Sequence, residues 1–238
     1  MRMNNSSFNK VIKALYCLQD SVLLSGSLTV ELEERLGDEL DNNPELFFVE
    51  GLEYIYDDKR TLIYPEYCYD KSSANYLLEA CRIKATQLVS RINTDDSYSK
   101  ALQAHDFLAR NVSYVKGDSA GLHSMVGPFT RKQGVCDGFS KAYKYMLDKM
   151  GIPCKIVRGH AGNPHDGSEE LHAWNMIRIE GQWMHVDVTF DTTIRCGKDL
   201  RYDYFGLTDN QILKDHVYRV KDYPKANCSQ YCYYERNS

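Results

Sequence analysis

Gly134-Val135-Cys136-Asp137-Gly138-Phe139-Ser140, followed by Leu171-His172-Ala173-Trp174-Asn175 and by Trp183-Met184-His185-Val186-Asp187, is the part of the sequence whose reading decides the fold. After Cys136 the apolar positions Phe139, Ala142, Tyr143, Met146, Leu147 and Met150 recur at steps of three and four. That is one face of an α-helix, which Gly151 and Pro153 end. Cys136 therefore stands in the first turn, on the face of Phe139 and Tyr143. There the unpaired backbone N–H groups and the helix dipole favour an anion, which lowers a thiol's pKa. The same N–H groups are placed to hold a developing oxyanion. A lone cysteine at a helix start is also a common small core residue, so the thiol alone decides nothing.

Leu171 to Ile179 and Gln182 to Phe190 are strand-like runs joined at Glu180-Gly181. A two-residue loop containing glycine reads as a hairpin and pairs Ile179 with Gln182, Ile177 with Met184, and Trp174 with Asp187. His172 then shares a face with Asp187 as its diagonal neighbour, roughly 7 Å away. That face carries His172, Trp174, Met176 and Arg178 with Trp183, His185, Asp187 and Thr189. The other carries Ala173, Asn175, Ile177, Ile179, Met184, Val186, Val188 and Phe190 and is nearly all apolar. One face is expected to build core while the other displays chemistry.

A thiol, an imidazole and a carboxylate so arranged suit a triad of Cys136, His172 and Asp187. The imidazole takes the thiol proton, and the carboxylate fixes its tautomer and stabilises the imidazolium. His185 competes for the base position. It lies two residues from Asp187 on the same strand, and such neighbours point in parallel rather than orient each other, so His172 is preferred.

These segments together resemble the transglutaminase-like superfamily, a branch of the papain-like cysteine-enzyme fold, and look closest to bacterial transglutaminase-like domain proteins. The likeness extends to His105-Asp106-Phe107-Leu108 and Asn111-Val112-Ser113-Tyr114 upstream, and to Tyr202-Asp203-Tyr204-Phe205 and Asp215-His216 downstream. It implies that Cys136, His172 and Asp187 form the family's triad. It also implies an α+β fold, with a nucleophile-bearing helix packed on an antiparallel sheet. Active members attack an acyl carbon with a thiolate and pass through a thioester. Water then gives hydrolysis, and an amine gives transamidation; some members have lost catalysis. The large animal cross-linking enzymes have further domains and calcium control. This chain has no matching domains and no EF-hand-type acidic run. The expectation is therefore a peptidase or amidase, with a non-catalytic binding module or a glutamine amine transferase as alternatives.

For the oxyanion, Gln133 stands three residues before the cysteine, a shorter offset than papain's. Trp174 is placed either to shield the imidazole or to contact the acyl chain, or simply to pack. The backbone N–H of Cys136 is the preferred donor. No cofactor is expected.

The chain has 238 residues, 43% of them hydrophobic and 26% charged, within the range of globular proteins. A net charge of −4 without a basic cluster gives no support to nucleic-acid binding, so the expected partner is a peptide or protein substrate. The apolar stretch from Val11 to Leu24 is broken by Lys13 and Asp20 and is too short to span a membrane. Without an export signal the default compartment is the cytoplasm. Eight cysteines leave an odd number if one is a nucleophile, against a disulfide scaffold. Cys228 and Cys232 alone approach ligand spacing, so no zinc site is expected.

Residues 1–72 read as a small α/β lobe with a linker, and 73–238 as the catalytic domain with its tail. In the lobe, Leu28, Leu32, Leu36 and Leu40 mark a helix ended by Asn42-Asn43-Pro44. Phe47 to Val49 and Tyr54 to Tyr56 read as strands separated by Gly51, and Pro65 to Ala74 reads as the linker. Two helical stripes follow, from Leu77 to Ile92 and from Ala101 to Val112, with His105 as a hydrogen-bonded core histidine. Gly117–Gln133 and Gly159–Glu170 read as long groove-lining loops, with His160 and His165 solvated. Thr208 and Gln211 form a capping box opening a helix through Asp215. The segment after Pro224 reads as a frayed or partner-covered end.

Overall fold

The structure, a computed structural model, describes residues 5–162, 169–194 and 199–237. The chain separates into two units, 1–79 and 80–238.

In the first unit, α1 (Asn5–Tyr16) buries Val11, Ala14 and Leu15, while Lys13 lies exposed. The charge that breaks the apolar run in sequence thus marks the wet side of an amphipathic helix. After β1 (Val22–Ser25), Thr29 caps α2 (Val30–Asn42) by accepting from the Leu32 N–H, and the helix stops before Pro44 as expected. Strands β2 (Val49–Tyr56) and β3 (Arg60–Tyr67) complete an antiparallel sheet of order β1-β3-β2. Gly51 does not end a strand; it sits where the β2–β3 register shifts, as at a bulge.

The linker expected at Pro65–Ala74 is instead the end of β3 and the start of α3 (Lys71–Val89), which contains the division between the units. Pro65 is tolerated because β1 pairs only with Arg60 to Ile63, so at Pro65 the strand is bonded on one side. Asp70 starts α3 by accepting from the Ser72 and Ser73 N–H groups.

In the second unit, α4 (Ser97–Asn111) leads to β4 (Ser113–Tyr114), which pairs in parallel with β5 (Gln133–Gly134) immediately before α5 (Cys136–Lys149). The middle of the expected loop at 117–133 is packed: Ser124 to Phe129 are buried, and Gly127–Arg131 form a π-helical turn. Strands β6 (Cys154–Gly162), β7 (Glu169–Ile179) and β8 (Gln182–Val186) follow, so the ends of the second expected loop belong to strands. His160 is exposed on β6, whereas His165 lies outside the described residues.

The β7–β8 hairpin has the register read from the sequence, with Ile179 opposite Gln182 and Ile177 opposite Met184. Glu180 (φ 49°) and Gly181 (φ 83°) form its two-residue loop. The second strand ends earlier than expected. Val188–Thr193 form the short helix α6, because the Asp187 carboxylate caps it by accepting from the Thr189 and Phe190 N–H groups.

Then come β9 (Phe205–Leu207), α7 (Asp209–Ile212), β10 (His216–Tyr218) and α8 (Tyr233–Arg236). The capping box of Thr208 and Gln211 is present, although its helix stops at Ile212. The antiparallel sheet has the order β10-β6-β7-β8-β9 and packs against α5, giving the expected α+β class.

The sheet is buried on both faces, not one. Asn175 reaches α5 by donating to the Ser140 carbonyl. On the other side Trp174 and Met176 pack with Leu207, Ile212, Ala226 and Cys232. The C-terminal segment is therefore a packed layer rather than a frayed end. Gly206, at φ 83°, lets it approach: a Cβ there would stand 2.0 Å from the Tyr231 carbonyl oxygen. Among the described residues, no helix is long and apolar enough to cross a membrane.

Candidate active site

Cys136 is the first residue of α5, and Val135 provides no side-chain cap. The first-turn N–H groups are consequently available to an anion. Three sets of contacts fix this turn. Gly138 lets residues 122–124 pass close by, since a Cβ there would lie 2.2 Å from the Leu122 carbonyl oxygen. The Asp137 carboxylate pairs with Lys141 at 3.2 Å and with Arg158 of β6 at 3.1 Å. Ser140 donates its hydroxyl to the Ala173 carbonyl at 2.9 Å, and Asn175 donates to the Ser140 carbonyl at 3.0 Å. The last two bonds set α5 against the strand that carries His172.

The His172 ring is almost fully buried, with Nε2 2.6 Å from Asp187 Oδ2 and the Cys136 thiol also in hydrogen-bonding contact with it. Burial opposes the imidazolium, but the Asp187 charge, its hydrogen bond and Cys136 outweigh that, raising the His172 pKa to about 10. With Nε2 held by the carboxylate, Nδ1 is the nitrogen left for the thiol. The three residues read from the sequence are thus brought together.

Asp187 is fully buried. Its Oδ1 accepts from Thr189 N at 2.9 Å and Phe190 N at 3.1 Å; its Oδ2 faces Nε2 of both His172 and His216. Burial raises its pKa, yet His172 and His216 hold it well below the usual carboxylate range. α6, which Asp187 caps, is tied to α4. His105, buried as expected, lies between Asp106 at 3.2 Å and Asp191 at 3.1 Å.

The alternative base, His185, has a different task. Its Nδ1 accepts from the Trp174 indole N–H at 3.0 Å, and its Nε2 meets Asp209 at 3.0 Å. Burial, partly offset by Asp209, pushes its pKa down to about 4. Trp174 is fully buried and stacks on His172 with ring centroids 6.0 Å apart. It shields the imidazole, and with its only donor engaged it has none to offer an oxyanion. Gln133 lies exposed in β5.

Sequence reading passed over His216 as a site residue, along with Tyr204 and Asp215. Their only signal was their place in the downstream motifs. Tyr114 was also passed over; burial and the nearby Cys136, Glu170 and Asp187 raise its pKa. The ligand atoms of His172, Asp187 and His216 lie within 4.8 Å of one another, close enough for one metal ion. In this structure the closeness comes from two imidazoles meeting one carboxylate oxygen. Seven of the cysteines, all but Cys196, are described, and all seven are free thiols.

The chain is similar in part to known proteins. The mouse (Mus musculus) kyphoscoliosis peptidase is 30% identical over 94 residues, a stretch covering 34% of this chain and 14% of that protein. The crystal structure of a TGase overlaps 76% of this chain and 53% of its own, with 13% identity and a TM-score of 0.42. The periplasmic domain of TgpA from Pseudomonas aeruginosa overlaps 57% of this chain and 56% of its own, with 16% identity and a TM-score of 0.35. The chain thus spans a small part of the curated relative and little more than half of either structure. The family model for the transglutaminase-like superfamily matches residues 86–188 of this chain, a span holding Cys136, His172 and Asp187.

Proposed function

We propose that the chain is a cysteine-dependent acyl-transfer enzyme that cleaves peptide or amide bonds through a thioester. The observation that carries this is the His172 ring, which contacts the Cys136 thiol and the Asp187 carboxylate together. Cys136 Sγ attacks the carbonyl carbon as its proton passes to His172. The carbonyl oxygen becomes an oxyanion, which the first-turn N–H groups of α5, that of Cys136 foremost, stabilise. His172 then protonates the leaving amine, and the C–N bond breaks to leave the thioester. Water, losing its proton to His172, attacks the thioester; the acid leaves and the thiol is restored. Asp187 keeps the ring oriented and its cation stable throughout. The curated relative is named a peptidase, which supports water over an amine as the acceptor.

The test is the pH dependence of iodoacetamide labelling at Cys136, mapped by mass spectrometry in the parent and in His172→Ala, followed by a peptide and amide hydrolysis screen. Rapid labelling below about pH 7 that disappears in His172→Ala is expected. Labelling at the rate of an ordinary exposed thiol would sink the enzymatic reading in favour of a binding module. Incorporation of a fluorescent primary amine into glutamine-containing protein, without hydrolysis, would identify a transferase instead.

A further inference from the structure

His216 is fully buried, yet both of its ring nitrogens face carboxylates: Nδ1 lies 2.6 Å from Asp215 Oδ1 and Nε2 lies 3.1 Å from Asp187 Oδ2. A neutral imidazole has one N–H to donate, and an ionised carboxylate only accepts. Both contacts are satisfied together only when the ring carries two protons. The surroundings agree. Tyr204 donates its hydroxyl to the other oxygen of Asp215 at 2.5 Å. The Trp174 and Phe190 rings each lie 4.8 Å from His216, centroid to centroid, and help close it off from water. His172 of β7 stands 5.5 Å away and opposes its charge, whereas His185 of β8 is held neutral. Burial lowers the His216 pKa, but the two carboxylates more than compensate and raise it.

The consequence falls on Asp187. Its Oδ1 accepts two backbone N–H groups and its Oδ2 two imidazole N–H groups, so the carboxylate has four donors and little freedom to turn. We propose that His216 is a positioning residue: clamped between Asp187 and Asp215, it locks the Asp187 carboxylate so that His172 keeps Nδ1 turned to Cys136. This rests on the acyl-transfer reading for its purpose, though not for its geometry.

Nitrogen-15 NMR of the histidine-labelled protein at pH 7 reads the ring directly, with the His216 signals assigned by their loss in His216→Gln. Two protonated nitrogens are expected, and a neutral ring would overturn the clamp. Cys136 alkylation against pH is then compared in the parent, His216→Gln and Asp215→Asn, each checked for fold by circular dichroism. His216→Gln is expected to displace the alkylation midpoint by about one pH unit, roughly tenfold in the thiolate equilibrium. Asp215→Asn, which removes one of the two carboxylates that raise the His216 pKa, is expected to add a step at lower pH than any in the parent, where His216 now loses its proton. Should His216→Gln fail to fold, Tyr204→Phe, which only strips the hydroxyl from Asp215, is expected to move the midpoint the same way by less. Folded variants that reproduce the parent profile would overturn the positioning role. A parent Cys136 that alkylates like an ordinary thiol, beside a doubly protonated His216, would instead overturn the acyl-transfer reading and leave the clamp standing.

Discussion

The Trp174 indole N–H donates to Nδ1 of His185 at 3.0 Å, and this bond separates the two histidines that compete for the role of base. Burial keeps His185 neutral; the bond keeps it turned inward and holds the indole flat against His172. Trp174→Phe leaves the His185 Nδ1 acceptor buried without its partner. The expected loss is about 1–3 kcal/mol from the unpaired group alone, read as a lowered urea midpoint.

Asp187→Asn separates charge from structure. Asparagine caps helices about as well as aspartate, so α6 is expected to survive, with a near-parental circular dichroism spectrum. Its amide would then face the His172 and His216 nitrogens with no negative charge behind it. Turnover is expected to fall by roughly 10³- to 10⁴-fold, the scale seen when a triad carboxylate is neutralised. Near-parental turnover in the folded variant would exclude Asp187 from the triad.

Gly138→Ala tests the seat of Cys136. The added methyl meets a backbone carbonyl 2.2 Å away, so either α5 or residues 122–124 must move. A destabilisation of about 1–3 kcal/mol is expected, with Cys136 alkylation slowed even at temperatures where the variant is folded.

Stability is expected to fall on both sides of neutrality, from different histidines. Burial works against charge at His105 and His172, but their carboxylate partners win and raise the folded pKa values to about 9 and about 10. Such groups stabilise fully below the unfolded value of about 6.5 and lose that contribution as pH rises toward the folded values. His185, folded at about 4, works in the opposite sense: stability drops as pH falls from about 6.5 toward 4. His105→Gln is accordingly expected to flatten the alkaline loss between about pH 6.5 and 9. Urea midpoints measured across the pH range check this.

The site was legible where chemistry and periodicity coincide. The 3.6-residue stripe after Cys136 and the two-residue turn at Glu180-Gly181 gave α5 and the hairpin, and with them the meeting of Cys136, His172 and Asp187. Asp187 was misread as a mid-strand residue, because apolar Val188 and Phe190 continue the strand alternation and conceal its capping role. β9 and β10 are three residues each, too short to show a period. Their partners, and the cover that the tail gives Trp174, depend on chain folding back from far along the sequence. His216 could not be found for the same reason: one neighbour that defines it, Asp187, is 29 residues away. In α1 the lysine that argued against a membrane span also concealed an ordinary amphipathic helix.

Tyr231 fastens the C-terminal layer, with its hydroxyl on Glu180 at 2.8 Å and its ring beside Tyr98. Tyr231→Ala is expected to cost about 3–5 kcal/mol, as for other large buried side chains. A melting temperature within a degree of the parent would show that the layer does not depend on it.

That layer also orders events on the ribosome. Cys136 and His172 precede His216 and the residues that cover Trp174 in the chain, so on the proposed reading a nascent chain holds its thiol beside an imidazole whose carboxylate is not yet locked. On that reading the pair is complete once residues 205–232 have been made and have packed over the sheet. A chain ending before His216 would carry Cys136, His172 and Asp187 without the second imidazole that faces the carboxylate.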